Sequence, residues 1–571
     1  MKNLEIARLL DELADALEFH GENPFKVSAY RRAAKILRDF TEDIEVYAKE
    51  GRLREIPGIG EGIAKKIKEY LETGKITKHK EVISKTPREI LELLKIPSLG
   101  PKTLKLAHDK LGVKNLDDLK RVIEDGSLAR LPGMGPKKVE NIKKGIELYE
   151  GFTGEEKRWQ LGLVIPVVTS LVEEIKKFPG VKKVVPAGSY RRMKETVGDI
   201  DILCIGEPGG EIIKKFTELP VVERVLACGE TKGSIIEKSL KIQIDLRVVP
   251  ERSFGAALQY FTGSKAHNIK LRTLAKGKGY KISEYGVFKG EKYIAGETEE
   301  DVYAVFGLPW IPPELREDRG EIELALEGKL PRLVEYDEIK GDFHIHSKYS
   351  DGANTIEEIA KKAEEMGLEY IAICDHSRSL KYAGGLDIDT LKRRNEEIDR
   401  LNEKFKIKIL KGMEVDILQD GSLDYPDPVL EELDVVIAAI HMGFKKNVTE
   451  RILAAMENPL VDIIAHPTGR LISGREGYDV DLEKIMERAR ELGVALEINA
   501  YFDRLDLDEH NARKAKELGI KLAIGTDAHN IGMLQYLRLG VGIARRAWLS
   551  PSDLLNTLSW KEYLKKRRRN G

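Results

Sequence analysis

Cysteine is scarce in this chain. Only Cys204, Cys228 and Cys374 occur among 571 residues, far apart and without a CxxC pair. That excludes a disulfide scaffold or a thiolate zinc finger, and all three are expected to be buried thiols. Long apolar runs are missing too: none approaches the roughly 18 residues needed to cross a bilayer, so no membrane partner is expected. The first twenty residues carry charges and no unbroken apolar stretch, so no secretory signal is read there and a cytoplasmic location is expected. An excess of one charge sign is also lacking. Lys and Arg number 95 against 96 Asp and Glu, a net charge of -1. Any surface for nucleic acid must therefore be local.

What is present is length, which at 64.3 kDa implies two or more independently folding domains. The first 150 residues read as amphipathic helices, with Leu9, Leu10, Leu13, Ala14 and Leu17 at helical spacing, then Ala33, Ile36 and Leu37. A short pattern recurs three times there: Ile56-Pro57-Gly58-Ile59-Gly60, Ile96-Pro97-Ser98-Leu99-Gly100 and Leu131-Pro132-Gly133-Met134-Gly135. Proline ends one helix, glycine allows positive φ and close backbone approach, and the next helix offers free N–H groups to a phosphate. This is a helix-hairpin-helix device, expected to hold the DNA backbone through Gly58, Gly60, Gly100, Gly133 and Gly135 without reading bases. Lysines trail each copy: Lys65, Lys66 and Lys68, then Lys102 and Lys105, then Lys137, Lys138, Lys143 and Lys144. Ser98 replaces the first glycine of the middle copy.

Farther along, Gly188-Ser189-Tyr190-Arg191-Arg192 is followed by Gly198-Asp199-Ile200-Asp201-Ile202. In a strand, residues two apart share a face, so Asp199 and Asp201 project together while the isoleucines turn inward. Ile242-Gln243-Ile244-Asp245-Leu246-Arg247-Val248 alternates the same way and supplies a third carboxylate. Three such carboxylates suit two Mg²⁺ ions about 3.5 to 4 Å apart, the arrangement used in phosphoryl transfer, with Ser189 and Arg192 gripping a triphosphate. Asp-x-Asp alone is a weak signal; the upstream Gly-Ser and the downstream aspartate strengthen it.

These residues resemble the nucleotidyltransferase superfamily, and Tyr260-Phe261-Thr262-Gly263-Ser264 narrows the resemblance to family X DNA polymerases. The resemblance implies an α+β palm and thumb and template-directed filling of short gaps during repair. Substrates would be gapped or primed DNA and deoxynucleoside triphosphates, with Mg²⁺ or Mn²⁺ on catalytic Asp199, Asp201 and Asp245, in a monomer. Gly188, Ser189, Arg192, Gly198, Gly263 and Asn268 would bind the nucleotide, Tyr260 and Phe261 would line its sugar, and Arg272 would contact the template. A cis peptide at Gly263-Ser264 is expected. Lys265 stands where vertebrate members are acidic, Gln243 where they have arginine, and Arg247 is expected to pair with the aspartates between turnovers. Ala29-Tyr30-Arg31-Arg32-Ala33-Ala34 and the first hairpin resemble the family's lyase domain. Lys66 aligns with its Schiff-base lysine, and Lys26 and Tyr30 with part of its phosphate pocket, but Phe25 and Gly62 replace polar or basic members. DNA binding by Lys66 is the first expectation, with lyase chemistry left open.

Beyond residue 340 stand seven of the eleven histidines. His344, His346, His376, His441, His466 and His529 each close a short apolar run, and Glu414 lies in the same register. Helical patterns separate the runs, which predicts a parallel barrel with polar residues gathered at its C-terminal rim. Histidine and carboxylate without thiolate suit Zn²⁺, Mn²⁺ or Fe²⁺. His510, on a charged helix, is left out. The stretch from Asp342 to Asn530 resembles the polymerase and histidinol phosphatase (PHP) domain. That implies a distorted (β/α)7 barrel with three Zn²⁺ or Mn²⁺ ions on His344, His346, Asp351, His376, Glu414, His441, His466, Asp527 and His529. It also implies phosphoester hydrolysis: 3′-5′ exonuclease, with AP endonuclease and 3′-phosphatase open.

The expected organisation is a lyase-like helical domain over 1–80 and a fingers-like region over 81–150. A palm over 151–252, a thumb over 253–315, a linker over 316–340 and the PHP domain over 341–571 follow. Two enzymatic rivals remain: a template-independent or small-molecule nucleotidyltransferase, and a barrel acting on a small phosphomonoester. A third, an inactive DNA-binding scaffold, is disfavoured by the full ligand sets. The terminal Lys565-Lys566-Arg567-Arg568-Arg569 is read as a solvated tail.

Overall fold

A computed structural model describes residues 2–39, 44–56, 58–94, 96, 99–135, 138–143, 146, 158–474 and 477–567. The chain divides into two units, 1–158 and 159–571. The first is helical. Helix Lys2–Phe19 buries Leu10, Leu13, Ala14 and Leu17, and helix Pro24–Asp39 adds Ala33 and Leu37 to the same core. A second core gathers Leu99, Leu104, Leu119, Val122 and Ile142. Two of the hairpin glycines hold the expected positive φ, while Gly60 and Gly100 are extended, at φ −75° and −68°. Gly58 has φ +87° and an added Cβ would lie 2.4 Å from Ile36 Cδ1, while Gly133 has φ +75°. Helices Glu61–Thr73 and Pro101–Leu111 start directly after Gly60 and Gly100, and neither N-terminus has a side-chain cap. Ser98, Lys137 and Lys144 lie outside the described residues.

The second unit opens with a five-stranded mixed sheet. Its strands are β1 (Val181–Pro186), β2 (Asp199–Gly206), β3 (Val222–Cys228), β4 (Lys232–Glu237) and β5 (Gln243–Val248), in the order β1-β2-β5-β4-β3. Only the central β2–β5 pairing is parallel. Edge strand β3 is largely exposed, which corrects one thiol: Cys204 and Cys374 are buried, but Cys228, at the end of β3, is exposed. Helices Phe254–Thr262 and Lys265–Gly277 and a small antiparallel sheet follow.

Seven parallel strands then run in sequence order: β6 (Gly341–Ile345), β7 (Tyr370–Ile373), β8 (Lys408–Asp416), β9 (Val435–Ala439), β10 (Ile463–Ile464), β11 (Ala495–Asn499) and β12 (Leu522–Gly525). The sheet closes on itself where Ile345 bridges Ala528 and the His346 N–H donates to the Ala528 carbonyl at 2.9 Å. Every residue of β6, β7, β9, β11 and β12 is buried, as a sheet covered on both faces requires.

Residues 316–340 do not behave as a linker. Arg316 is fully buried and ion-pairs with Glu299 at 2.6 Å, Glu321 meets His267 at 2.7 Å, and Ile322, Ala325 and Leu333 share a core with Trp548. Arg316 and Glu321 are thus charges satisfied by buried partners, while Glu327, Lys329 and Arg332 remain exposed. The basic tail is likewise anchored in part. Lys565 and Lys566 end helix Trp560–Lys566, and Arg567 donates to the Leu433 and Asp434 carbonyls at 3.2 Å.

Candidate functional site

The palm chemistry sits on the parallel pair. In register, Asp201 faces Asp245 and Asp199 faces Gln243, so alternation puts all three carboxylates on one face while Ile200, Ile202 and Ile244 are buried. Burial, with the neighbouring Asp199 and Asp245 charges, pushes the Asp201 carboxyl up to about 7. Asp245 behaves oppositely. Burial raises it, but hydrogen bonds from Lys232, Ser234 and Gln243 outweigh that and hold it below the usual carboxylate range. Lys232 on β4 reaches Asp245 Oδ2 at 2.7 Å, and the Gln243 amide donates to Oδ1 at 3.0 Å. Arg247, expected to pair with the aspartates between turnovers, lies with its guanidinium 4.4 Å from the Phe261 ring centroid, and its charge counters the rise of the Asp201 carboxyl. The sequence motifs did not identify Lys232, because only sheet order brings β4 beside β5.

The nucleotide-binding candidates cluster near this face. Gly188 has φ +64°, and a Cβ there would come 3.3 Å from Asp201 Oδ2. It opens the turn Gly188–Arg191 that carries Ser189, and Gly198 directly precedes β2. Arg192 donates from Nη1 to the Thr262 carbonyl at 2.5 Å and from Nε to Glu317 at 3.0 Å, and a Cβ on Gly263 would stand 3.2 Å from that Nη1. Tyr260 and Phe261 meet edge to face at 5.1 Å, half-buried. Asn268 donates to the Tyr260 carbonyl at 2.8 Å and accepts from Gln259 at 2.7 Å. The Gly263–Ser264 peptide is cis, as expected. Arg272 is exposed on the same helix as Asn268, as is Lys265.

In the first unit Lys66 lies 5.6 Å over the Tyr30 ring and donates to the Gly62 carbonyl at 3.1 Å. Lys65 and Lys68 pair along their own helix with Glu61 and Glu72 at 2.8 and 3.7 Å. Phe25 is 87% exposed.

At the barrel rim the nine expected ligands converge around Glu414. Its Oε1 lies 3.0 Å from His466 and 3.1 Å from His441; its Oε2 is 2.9 Å from His376, 3.5 Å from His344 and 3.6 Å from His346. Among the described residues three groups bring their ligand atoms within 4.8 Å of one another: His346, Asp351, His376 and His529; His344, His346 and Asp527; His376, Glu414 and His441. The palm carboxylates, with Asp245 held by Lys232, are not drawn into such a group.

Two observations fit the barrel cluster to metal ions. Buried His346 Nδ1 and His466 Nδ1 make no hydrogen bond, and His376 Nδ1 has only the Glu414 carboxylate at 2.9 Å, which leaves ligand atoms open to a metal ion. Non-glycine ligands His466 and Asp527 also hold φ of +28° and +52°, a backbone strain that clusters at functional sites. Burial and the neighbouring His529 and His376 push His346 down to about 4. His376 is lowered by burial but lifted more by Glu414 and Asp351, to about 10.

Glu497 was missed. It is buried on β11, takes His344 Nδ1 at 2.7 Å through Oε1, and accepts from the His466 N–H at 2.7 Å through Oε2. Asp416 similarly faces His441 Nδ1 at 3.3 Å, and Asn499 donates to Asp527 at 3.1 Å. Leu496-Glu497-Ile498-Asn499 carries the same strand-end pattern as the other ligand runs, so a signal was there. His510, left out, has an exposed side chain next to Arg319. Among the described residues, no helix is long and apolar enough to cross a membrane.

Family models match a helix-hairpin-helix domain over 1–76, a SAM-like helix-hairpin-helix tandem over 90–147, a DNA polymerase beta thumb over 257–317 and a PHP domain over 342–501. The chain is 41% identical to the DNA polymerase/3′-5′ exonuclease PolX of Bacillus subtilis (strain 168), over 98% of both chains. A probable phosphatase of Thermoanaerobacter sp. (strain X514) is 35% identical over 40% of this chain and 95% of its own length. DNA polymerase lambda of Rattus norvegicus is 28% identical over 55% of this chain and 56% of its own. With hairpins, palm, thumb and histidine-lined barrel joined in one chain, and similarity to a relative along nearly the whole length of both, the protein belongs to the family X DNA polymerases that carry a PHP domain.

Proposed function

We propose that the chain fills short gaps in DNA by template-directed synthesis at the palm and trims 3′ ends at the barrel. The observation that carries this is the match to a polymerase/exonuclease along 98% of the chain, supported by three aspartates on one face of the palm strands and by the histidine and carboxylate groups at the barrel rim. At the palm, Asp199, Asp201 and Asp245 would hold Mg²⁺ or Mn²⁺, which stabilises charge on a transferring phosphoryl group. Ser189 and Arg192 grip the triphosphate, with Gly188, Gly198 and Gly263 leaving room for it. Tyr260 and Phe261 close on the sugar, Asn268 meets the base edge, and Arg272 meets the template. The uncapped helix starts after Gly60 and Gly100, with Gly58, Gly133, Gly135 and Lys66, hold the DNA backbone.

At the barrel the nine ligands would hold three Zn²⁺ or Mn²⁺ ions, whose chemistry is polarisation of the phosphoester and activation of water. Glu497 fixes the His344 ring through Nδ1, leaving Nε2 to the cluster. Substrates are gapped or primed DNA and deoxynucleoside triphosphates, and the protein acts as a cytoplasmic, nucleoid-associated monomer. The probable-phosphatase relative favours a second barrel activity, removal of a terminal phosphate.

One primer set tests the reading: a one-nucleotide gap, an open template, and 3′-hydroxyl and 3′-phosphate ends. Faster extension across the gap and metal-dependent shortening of the 3′-hydroxyl primer are expected. Equal extension on gap and open template removes the gap-filling role, and no shortening removes the exonuclease.

A further inference from the structure

Arg546 belongs to the barrel half of the chain, at the end of helix Leu537–Arg546, yet its guanidinium also reaches the palm. It is fully buried. Nη1 donates to the Arg192 carbonyl at 2.7 Å and to Glu317 Oε1 at 3.0 Å, and Nη2 donates to Glu509 Oε1 at 2.9 Å, with Nε also on Glu509. Glu317 Oε1 is the same oxygen that takes the Arg192 Nε at 3.0 Å. The helix approaches closely at this point: a Cβ on Gly542 would stand 2.7 Å from Met193 Cε, one residue beyond Arg192. Arg319 also pairs with Glu509.

Arginine and carboxylate thus alternate from the barrel to the nucleotide pocket, as Glu509, Arg546, Glu317 and Arg192. Were Glu317 to face Arg192 alone, the pair would be neutral and attract a triphosphate weakly. Arg546 shares that carboxylate, and its contact with the Arg192 carbonyl fixes the main chain that carries Ser189 and Arg192. Three arginines, Arg192, Arg319 and Arg546, then stand against two glutamates, Glu317 and Glu509, which leaves one positive charge for an anionic ligand. A guanidinium suits this role because its planar fork serves several acceptors at once, where an ammonium offers a point charge.

We propose that Arg546 is a positioning residue for nucleotide binding, by which the PHP half of the chain holds Arg192 oriented toward the triphosphate of the incoming nucleotide; this rests on the reading of Arg192 as a triphosphate ligand. The barrel is in this respect part of the polymerase and not only a second enzyme tethered to it.

The experiment is steady-state gap filling with the full chain, comparing Arg192→Met, Arg546→Met, Arg546→Lys, Glu317→Gln and the Arg546→Met/Glu317→Gln double variant. Hydrolysis of 3′ ends is followed on the same preparations as a check on the barrel. Arg546→Met is expected to raise KM for the nucleotide about 10-fold with kcat within about 2-fold, the pattern of lost ground-state binding. Arg546→Lys should recover part of the loss. Because Arg546 acts through Glu317, its deletion should matter several-fold less in the Glu317→Gln background. An unchanged KM in Arg546→Met, with Arg192→Met raising it, overturns the inference alone. An unchanged KM in Arg192→Met overturns the reading beneath it. Parallel loss of kcat and of 3′ hydrolysis in both Arg546 variants reduces Arg546 to a scaffold residue and overturns the inference as well.

Discussion

In the palm three carboxylates meet with Lys232 as their near cation, whereas in the barrel three carboxylates meet six imidazoles. The palm relieves its crowding by a proton: burial and its two neighbours lift Asp201 to about 7. The barrel relieves it internally. Burial would raise Asp527 and Glu414, but surrounding histidines hold both well below the ordinary carboxylate range. Asp199 lies exposed at the mouth of its site, while Glu414 and His344 are almost wholly shut away. One exposed carboxylate beside one that carries a proton near neutrality suits ions that arrive with each nucleotide. Buried imidazoles with orphaned nitrogens suit ions that stay. The same class of chemistry, phosphoryl transfer, is therefore fitted with one labile and one resident set of ligands.

The largest test separates the sets. Asp201→Ala is expected to lower nucleotide addition by about 10³-fold or more while leaving 3′ hydrolysis within about 2-fold, because a carboxylate that spans the charge-stabilising site is lost. His344→Ala should do the reverse. Primer extension and 3′ degradation on the same variants, with circular dichroism for the fold, decide it. A folded Asp201→Ala protein lacking both activities would falsify the comparison.

A smaller effect is expected one step out from the barrel ligands. Glu497→Gln keeps the shape but removes the charge that holds the His344 ring, and should weaken bound metal and 3′ hydrolysis by about 10- to 100-fold. Nucleotide addition should not change. Metal content after dialysis, measured beside both activities, checks this; a Glu497→Gln protein that retains its metal as firmly as the parent breaks the claim of a resident set.

The smallest effect is in pH. The folded Asp201 value of about 7 lies above its ordinary 3.8, so between those values the folded chain keeps a proton that the unfolded chain has lost. Stability of metal-free protein from this group therefore falls as pH rises from about 4 to about 7 and is level above that. Metal must displace the same proton. The Mg²⁺ concentration for half-maximal synthesis should thus rise about 5-fold from pH 7 to pH 6 and stay flat above about pH 8. Titration of synthesis against Mg²⁺ at each pH gives the curve, and a flat response down to pH 6 would show that Asp201 is already ionised. Hydrolysis at the barrel, with its metals retained, should not follow this curve.

Much of both sites was legible because strand alternation needs no tertiary information. Asp199 and Asp201 share a face, and each histidine run ends at the rim, by the period of two alone. Lys232 was not legible for the complementary reason. Which cation reaches Asp245 depends on the neighbouring strand, and β4 brings Lys232 there. Glu497 shared the visible pattern and was passed over because it supports a ligand without appearing in the ligand motif.

Residues 316–340 mark the same boundary at the level of domains. Their charge density reads as solvated linker, and nothing local distinguishes a charge in water from a charge in a buried pair. Only packing supplies Glu299 for Arg316 and His267 for Glu321, and only packing carries Arg546 to the back of Arg192. The sequence by itself put three aspartates on one strand face and histidines at successive strand ends, because those depend on residue type and short-range periodicity; the rest of each expected site came from family resemblance. Tertiary structure decided which charges compensate one another, because a charge in a low-dielectric interior is governed by its nearest neighbours in space, and those come from other strands and helices, 354 residues apart in the case of Arg546 and Arg192.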